Sequence, residues 1–153
     1  MLDVKNVSKT FAKGTVNEHI ALEKINLHLD RGEFLTIVGS NGAGKSTLFN
    51  LICGTFMQDS GTVTLDGQDI SFLPEHKRAK LIGRVFQDPM KGTAPNMTIE
   101  ENLALAYTRA HSSGLALALY KKKSNFFREQ VSRFNMGLED RMNTPVGLLS
   151  GGQ

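Results

Sequence analysis

The stretch Phe34–Cys53, FLTIVGSNGAGKSTLFNLIC, decides the fold. Its first five residues, Phe34–Val38, are largely apolar and predict a buried strand. Residues 39–46, GSNGAGKS, fit the pattern G-x-x-x-x-G-K-[ST]. Lys45–Cys53 predicts a helix, with Gly54 as its C-terminal stop. Strand, glycine-rich loop and helix come in the order that a phosphate-binding loop requires.

The residue types of this loop suit phosphate chemistry. Glycines let successive backbone N–H groups converge on phosphate oxygens, where a Cβ would obstruct them. The helix N-terminus adds the positive end of its dipole. Lys45 can place its charge on the β- and γ-phosphates, and the Ser46 hydroxyl can coordinate Mg²⁺. An ordinary glycine-rich turn is the alternative, which the flanking elements disfavour. The residues predicted to bind nucleotide here are Gly39, Ser40, Asn41, Gly42, Ala43, Gly44, Lys45, Ser46 and Thr47.

Composition limits the other possibilities. The chain has 153 residues, enough for one modest domain, with 40% hydrophobic and 22% charged residues. A net charge of +3 suits an anionic ligand but does not indicate a nucleic-acid partner. One cysteine excludes an internal disulfide. The longest apolar run, Leu115–Tyr120, is far too short for a membrane span, and we expect a cytoplasmic protein.

The first half of the chain otherwise has strand patterns. Leu2–Phe11 and Ala21–Asp30 alternate between apolar and polar residues, which predicts two strands of an antiparallel layer. Gly61–Ile70 predicts a hairpin around the turn dipeptide Asp66-Gly67. Glu75–Lys80 predicts a short basic helix.

Further along, Leu81–Phe86 predicts another strand, followed by a loop. Thr98 and Glu101 form a capping box at the start of a helix that ends near Arg109. Ser124 is expected to cap a further helix over Asn125–Met136, which buries Phe127, Val131 and Phe134.

The chain closes with a second motif, Leu149–Gln153, LSGGQ. With this motif the sequence resembles the nucleotide-binding subunits of ATP-binding-cassette (ABC) transporters, along the whole chain. Leu149–Gln153 matches the family's signature motif, and Gly39–Thr47 matches its P-loop. Gln87 matches the Q-loop glutamine. Phe11 matches the aromatic that stacks on adenine, with Val16 packed beside it.

The resemblance implies an α/β fold. It comprises a P-loop core with an antiparallel β-subdomain over residues 1–95, and a helical subdomain over 96–153 that ends in the signature. The C-terminal part of the core is expected to be missing. Two subunits would sandwich two ATP molecules, each between one P-loop and the partner's signature residues, here Ser150, Gly151, Gly152 and Gln153. Ser46 and Gln87 would ligate Mg²⁺. The loop Asp88–Asn96 would face transmembrane permease subunits, and no nucleic acid is expected.

The chain also departs from the family pattern. No apolar strand in it ends in Asp-Glu, so the Mg²⁺-organising Asp and the general-base Glu have no counterpart, and the switch His is absent as well. Lys45 and Gln87 would assist phosphate and water positioning, but no residue of this chain is expected to be catalytic. We therefore expect the chain to bind ATP without hydrolysing it.

Four functions remain open. The favoured one is an ATP-binding subunit at the inner face of the cell membrane that powers a separate permease, an arrangement that resembles bacterial importers. A non-transport ABC ATPase acting as a soluble ATP switch is the second. A P-loop kinase or GTPase would leave Leu149–Gln153 unexplained. A non-hydrolysing ATP-binding or interaction module is the fourth.

Overall fold

The computed structural model describes residues 1–110 and 116–150. The predicted signature residues Gly151–Gln153 lie outside this part of the chain. Contacts divide the molecule into two compact units, Met1–Ile82 and Gly83–Gln153, and the division at residue 95 stays a prediction. The strands and helices are β1 (Leu2–Phe11), β2 (His19–Leu29), α1 (Lys45–Cys53), β3 (Ser60–Leu65), β4 (Gln68–Asp69), α2 (Glu75–Arg78), α3 (Ile99–Ala110) and α4 (Ala116–Ser132).

The first unit contains an antiparallel sheet in the order β2-β1-β3-β4. The central strand β1 pairs with β2 from Leu2 to Phe11, and with β3 from Leu2 to Ser8. The predicted antiparallel layer is therefore confirmed. The predicted hairpin is confirmed as well, because β3 pairs with β4. Asp66 and Gly67, which join the two strands, have φ angles of 49° and 81°, and a two-residue hairpin turn of this kind requires such positive values.

The core of this unit combines apolar side chains of the sheet with those of α1. Five of them are fully buried, Val4, Val7, Leu51, Val63 and Ile70, and the transfer of each such side chain out of water contributes about 1.5–3 kcal/mol. The core residues are Val4, Val7, Leu22, Leu48, Leu51, Ile52, Val63 and Ile70.

Two predicted strands are wrong. Phe34–Val38 and Leu81–Phe86 have no strand structure. Several of their apolar side chains face solvent, with Phe34 90% and Val85 97% exposed, whereas Ile37 and Ile82 are half-buried against the core of the first unit. A strand exists only where a neighbouring strand accepts its hydrogen bonds. No described residue pairs with either segment, so neither forms a strand despite its β-branched and aromatic residues.

Arg78 of α2 is fully buried in the first unit. Its guanidinium donates to the carbonyl oxygens of Leu51 and Ile52 (2.7 and 3.0 Å), which are among the last of α1. It also donates to the carbonyls of Leu73 and Ser71, both at 2.7 Å. The charge thus meets the negative end of the α1 dipole and satisfies acceptors that a helix end leaves open.

The second unit is built on α3 and α4, with an apolar cluster that includes Ile99, Phe127 and Val131. The predicted capping box is confirmed. The Glu101 N–H donates to Thr98 Oγ1 at 3.2 Å, and the Thr98 N–H donates to the Glu101 carboxylate at 2.7 Å.

The second helix of this unit differs from the prediction. Ser124 does not cap it, because α4 already begins at Ala116 and continues through the lysines to Ser132. Lysine is a good helix former, so the helix continues through the lysines and a single serine at position 124 does not end it. Phe134 lies beyond the end of α4 and is 70% exposed, so its predicted burial is wrong. None of the helices in the described part of the chain combines the length and apolarity needed to cross a bilayer.

An ion pair joins β1 to β2 and gives a pH-dependent prediction. Nδ1 of His28 lies 2.7 Å from Oδ1 of Asp3, its partner in the register. This hydrogen bond, and a second to Asp30, raise the pKa of His28 above 6.5, and His28 lowers the pKa of Asp3 below 3.8. The stabilisation is complete between these two ordinary values. It is lost as pH rises through the raised pKa of His28, or falls through the lowered pKa of Asp3.

We expect an NMR titration to show His28 titrating above its ordinary value, and Asp3→Asn to move that midpoint down. A His28 midpoint that is unchanged in Asp3→Asn would contradict the pairing.

Candidate functional site

The glycine-rich loop lies between β2 and α1 and rests against the sheet at Gly44. Gly44 has a left-handed φ of 82° and is the N-cap of α1. A Cβ there would overlap the Ala21 carbonyl oxygen and lie 3.0 Å from Cδ2 of Leu22. Gly42 is also left-handed, with φ 84°, but a Cβ there would meet nothing within 4 Å. The two glycines are therefore required for different reasons, close packing at Gly44 and backbone conformation alone at Gly42.

The Lys45 ammonium is folded over the loop. Its Nζ donates to the carbonyl oxygens of Gly39 (2.7 Å) and Ser40 (2.6 Å). The helix that it begins has no side-chain cap and no acidic residue in its first turn. The start of α1 therefore combines backbone donors, the positive end of the dipole and a cation, with no acceptor side chain capping it. This chemistry fits a phosphate group.

The remaining P-loop residues are exposed or half-buried. Ser40, Asn41, Ala43 and Ser46 are exposed, and Thr47 is half-buried. A turn closes the loop, with the Ala43 N–H donating to the Ser40 carbonyl at 3.3 Å. Within residues 1–110 and 116–150, no three His, Cys, Asp or Glu side chains group into a metal site. The Ser46 hydroxyl is accessible, and its role as a Mg²⁺ ligand stays a prediction.

Phe11 lies close to this loop. Its partner in β2 is His19. His19 is two residues from Ala21, whose carbonyl oxygen lies against Gly44. Two residues of strand span roughly 7 Å. The ring is half-buried and meets the edge of Phe56 at a centroid distance of 5.3 Å. The structure thus brings the predicted aromatic and the predicted phosphate loop into one region of the first unit.

Val16 does not pack beside Phe11 as expected. It is 102% exposed, so its side chain contacts no other residue appreciably. It lies in a turn closed by the hydrogen bond from the Thr15 N–H to the Ala12 carbonyl and by that from the Gly14 N–H to the Glu18 carboxylate. This turn directs Val16 to solvent, and any contact of Val16 with a nucleotide stays a prediction.

In the second unit, Gln87 is exposed at the start of the predicted permease-facing loop. The loop contains a 3₁₀ turn, Pro89–Gly92, whose N-cap Asp88 accepts the Met90 N–H at 3.0 Å. Asn102 of α3 holds the other end, since its side chain accepts from the Ala94 N–H and donates to the Ala94 carbonyl. The loop is therefore anchored to α3 near its end, whereas the hydrogen bond of Asp88 only shapes the 3₁₀ turn.

The approach to the signature motif is fastened to the start of α3. The Ile99 and Glu100 N–H groups donate to the carbonyls of Thr144 and Met142 at 3.1 and 3.0 Å. Leu149 packs against the apolar cluster of this unit, and Ser150 is exposed. The predicted contacts of Ser150 with phosphate remain untested, and those of Gly151, Gly152 and Gln153 lie outside the described residues.

Sequence reasoning missed three residues that contact the elements carrying the site, Arg78 at the end of α1 and Phe56 and Asp59 at the end of β1. Arg78 reads as part of a basic helix, and only its position in the core distinguishes it from its exposed neighbours Lys77 and His76. Phe56 and Asp59 lie between α1 and β3, in a stretch without periodicity, and both contact the end of β1. No local pattern signals such long-range contacts.

Comparisons with known proteins agree with this geometry. The family model described as ABC transporter matches residues 22–153. The tyrosine transport ATP-binding protein of Clostridioides difficile is 40% identical over 153 residues, which are 100% of this chain and 61% of that protein. The ribose import ATP-binding protein RbsA of Streptococcus agalactiae is 35% identical over 155 residues, 99% of this chain and 29% of that protein. The chain therefore spans less than two thirds of the length of either relative.

Solved structures give the same result. An ATP-binding cassette in a dimeric post-hydrolysis state bound to ADP and Pi superposes with a TM-score of 0.78 at 30% identity, covering 100% of this chain and 65% of that one. The cbiO1 protein of Clostridium perfringens, part of an ABC transporter complex, superposes with a TM-score of 0.73 at 28% identity, covering 99% of this chain and 56% of that one. These likenesses confirm the predicted α/β fold class.

Proposed function

Because this chain belongs to the ABC transporter family, we propose that it binds ATP as the nucleotide-binding part of a transporter subunit. The observation that carries the proposal is the start of α1, where the Lys45 ammonium, left-handed glycines and an uncapped helix end lie together. Gly39–Thr47 would hold the phosphates, and Phe11 would stack on the base. Ser46 and Gln87 would hold Mg²⁺, which supplies charge neutralisation at the phosphates when bound.

We further propose that a dimer of such subunits drives substrate transport through a separate permease. The relatives support this, since one is named for tyrosine transport and another for ribose import, and a similar cassette is dimeric. We favour import as the direction of transport, because one relative is named a ribose import protein. The loop Asp88–Asn96, which Asn102 of α3 anchors near its end, is the proposed permease contact. Ser150–Gln153 is the proposed contact with the partner subunit's ATP. The subunit would then work at the cytoplasmic face of the membrane.

For the 153-residue chain itself we propose binding without turnover. Lys45 and Gln87 would position phosphate and water, but the 153 residues contain no Asp-Glu pair of the kind that phosphoryl transfer to water uses in this family. We expect no phosphate release above background on incubation with Mg-ATP.

Calorimetric titration with Mg-ATP tests the binding proposal. Saturable binding is expected in the native chain, and Lys45→Ala should weaken it roughly 10- to 100-fold, as loss of a charge-assisted hydrogen bond of about 1.5–3 kcal/mol implies. Lys77→Ala removes an exposed lysine of α2 from the same unit and serves as the matched control, with unchanged affinity expected. Equal affinity of the native chain and Lys45→Ala would refute the site.

A further inference from the structure

Asp59 clamps the end of β1 by its side chain. Backbone pairing between β1 and β3 ends at Ser8, opposite Ser60. Beyond that point Oδ2 of Asp59 accepts the Thr10 N–H at 2.6 Å, and Oδ1 accepts the Lys9 ammonium at 3.1 Å. These two donors, the Thr10 N–H first, hold the pKa of Asp59 below its ordinary value, so the carboxylate is charged at neutral pH. The clamp therefore continues the attachment of β1 where the ladder stops.

The clamped residues lead directly to the Phe11 ring. The Lys9 ammonium held by Asp59 lies 5.6 Å from the centroid of that ring. The ring of Phe56 meets it at an interplanar angle of 80°, an edge-to-face contact. Phe56 follows the C-cap of α1 by two residues. The orientation of Phe11 thus depends on the start of β3 through Asp59 and on the end of the P-loop helix through Phe56.

We propose that Asp59 and Phe56 are positioning residues that orient the Phe11 ring for stacking on the base of a bound nucleotide. The inference rests on the proposed nucleotide-binding function. Neither residue needs to touch the nucleotide, because both act through Phe11. An aromatic ring fixed before binding loses less side-chain freedom when the base stacks on it. The pair therefore affects the base-dependent part of affinity and leaves the phosphate-dependent part at Lys45 unchanged.

The test compares Mg-ATP with Mg-tripolyphosphate, which has phosphates but no base, by calorimetry on the 153-residue chain. We expect Asp59→Ala and Phe56→Leu each to weaken ATP binding roughly three- to tenfold, the range set by immobilising one or two side chains. Tripolyphosphate affinity should stay the same. Asp3→Ala, which removes a carboxylate from the opposite end of β1, is the matched control and should change neither ligand. Asp59→Asn, which can still accept from Thr10, is the milder variant if Asp59→Ala does not fold.

A double-mutant cycle distinguishes orientation of Phe11 from general support of the sheet. In a Phe11→Ala background, Asp59→Ala should cause no further loss of ATP affinity. A parallel loss for ATP and tripolyphosphate would overturn the inference, as would an undiminished loss in the Phe11→Ala background or no loss at all. Failure of the native chain to bind either ligand would refute the proposed function, and the inference with it. Native tripolyphosphate binding with an ATP affinity insensitive to Phe11→Ala would refute the inference alone.

Discussion

Replacing Gly44 with alanine is expected to destabilise the chain by about 2–5 kcal/mol and to abolish detectable nucleotide binding. The stability loss combines left-handed strain with overpacking, because the new Cβ would overlap the Ala21 carbonyl oxygen and crowd Leu22 of β2. To relieve that overlap, the loop must move away from the sheet. The N-terminal donors of α1 and the Lys45 ammonium would move with the loop. Nucleotide affinity is therefore expected to fall even in molecules that remain folded.

Gly42→Ala is the matched control for this prediction. Gly42 has nearly the same φ as Gly44, 84° against 82°, in the same loop, but open space where the Cβ would lie. Gly42→Ala should lower the free energy of unfolding by only about 1–2 kcal/mol, the strain of an alanine in the left-handed conformation. Urea unfolding followed by circular dichroism measures both variants, and calorimetry with Mg-ATP measures binding. Equal stability losses in the two variants would show that contact with β2 is not what requires glycine at position 44.

Replacing Arg78 with methionine is expected to destabilise the chain by about 3–5 kcal/mol. Methionine fills similar space but cannot donate, so the carbonyls of Leu51, Ile52, Ser71 and Leu73 would lose a donor. The Leu51 carbonyl keeps the Gly54 N–H at 3.1 Å. Each of the other buried acceptors left unsatisfied costs about 1–3 kcal/mol, and relaxation recovers part of that sum. The positive charge at the end of α1 disappears with it.

Lys77→Met, on the exposed neighbour in α2, is the comparison, and should change the free energy of unfolding by less than about 0.5 kcal/mol. Arg78→Lys should fall between the two, since an ammonium retains the charge but not the planar fork of donors. Unfolding in urea at several temperatures gives all three values. A loss below about 1 kcal/mol in Arg78→Met would mean that water replaces the guanidinium at these carbonyls.

Local sequence suffices for elements whose partners are near in sequence or whose signals are chemical. The P-loop helix, its glycine stop and the Thr98 capping box follow from such signals, and each is present. The Asp66-Gly67 hairpin follows because its two strands are joined by a turn that few other dipeptides favour.

Other features depend on groups far away along the chain. Phe34–Val38 has the composition of a buried strand, but composition cannot supply a hydrogen-bonding neighbour. The buried state of Arg78 depends on carbonyls between Leu51 and Leu73, and the clamp by Asp59 depends on Thr10. At Ser124 the sequence offers a cap, but a continuing helix offers more hydrogen bonds. Tertiary pairing decides the first three of these cases, and the continuation of α4 decides the last.

The central place of β1 has a consequence for how the site is assembled. Residues 30–59, which contain the phosphate loop and α1, leave the sheet beside one edge of β1 and return beside the other. Leu2 pairs with both Leu29 and Leu65, and the second pairing closes a long excursion of chain, a step that is slow and entropically costly. The phosphate loop and α1 therefore lie on the connection that the pairing of β1 with β3 closes. Under the proposed function, a nucleotide that binds only the folded loop would stabilise this closed connection by mass action, and would raise the free energy of unfolding of the sheet together with that of the loop.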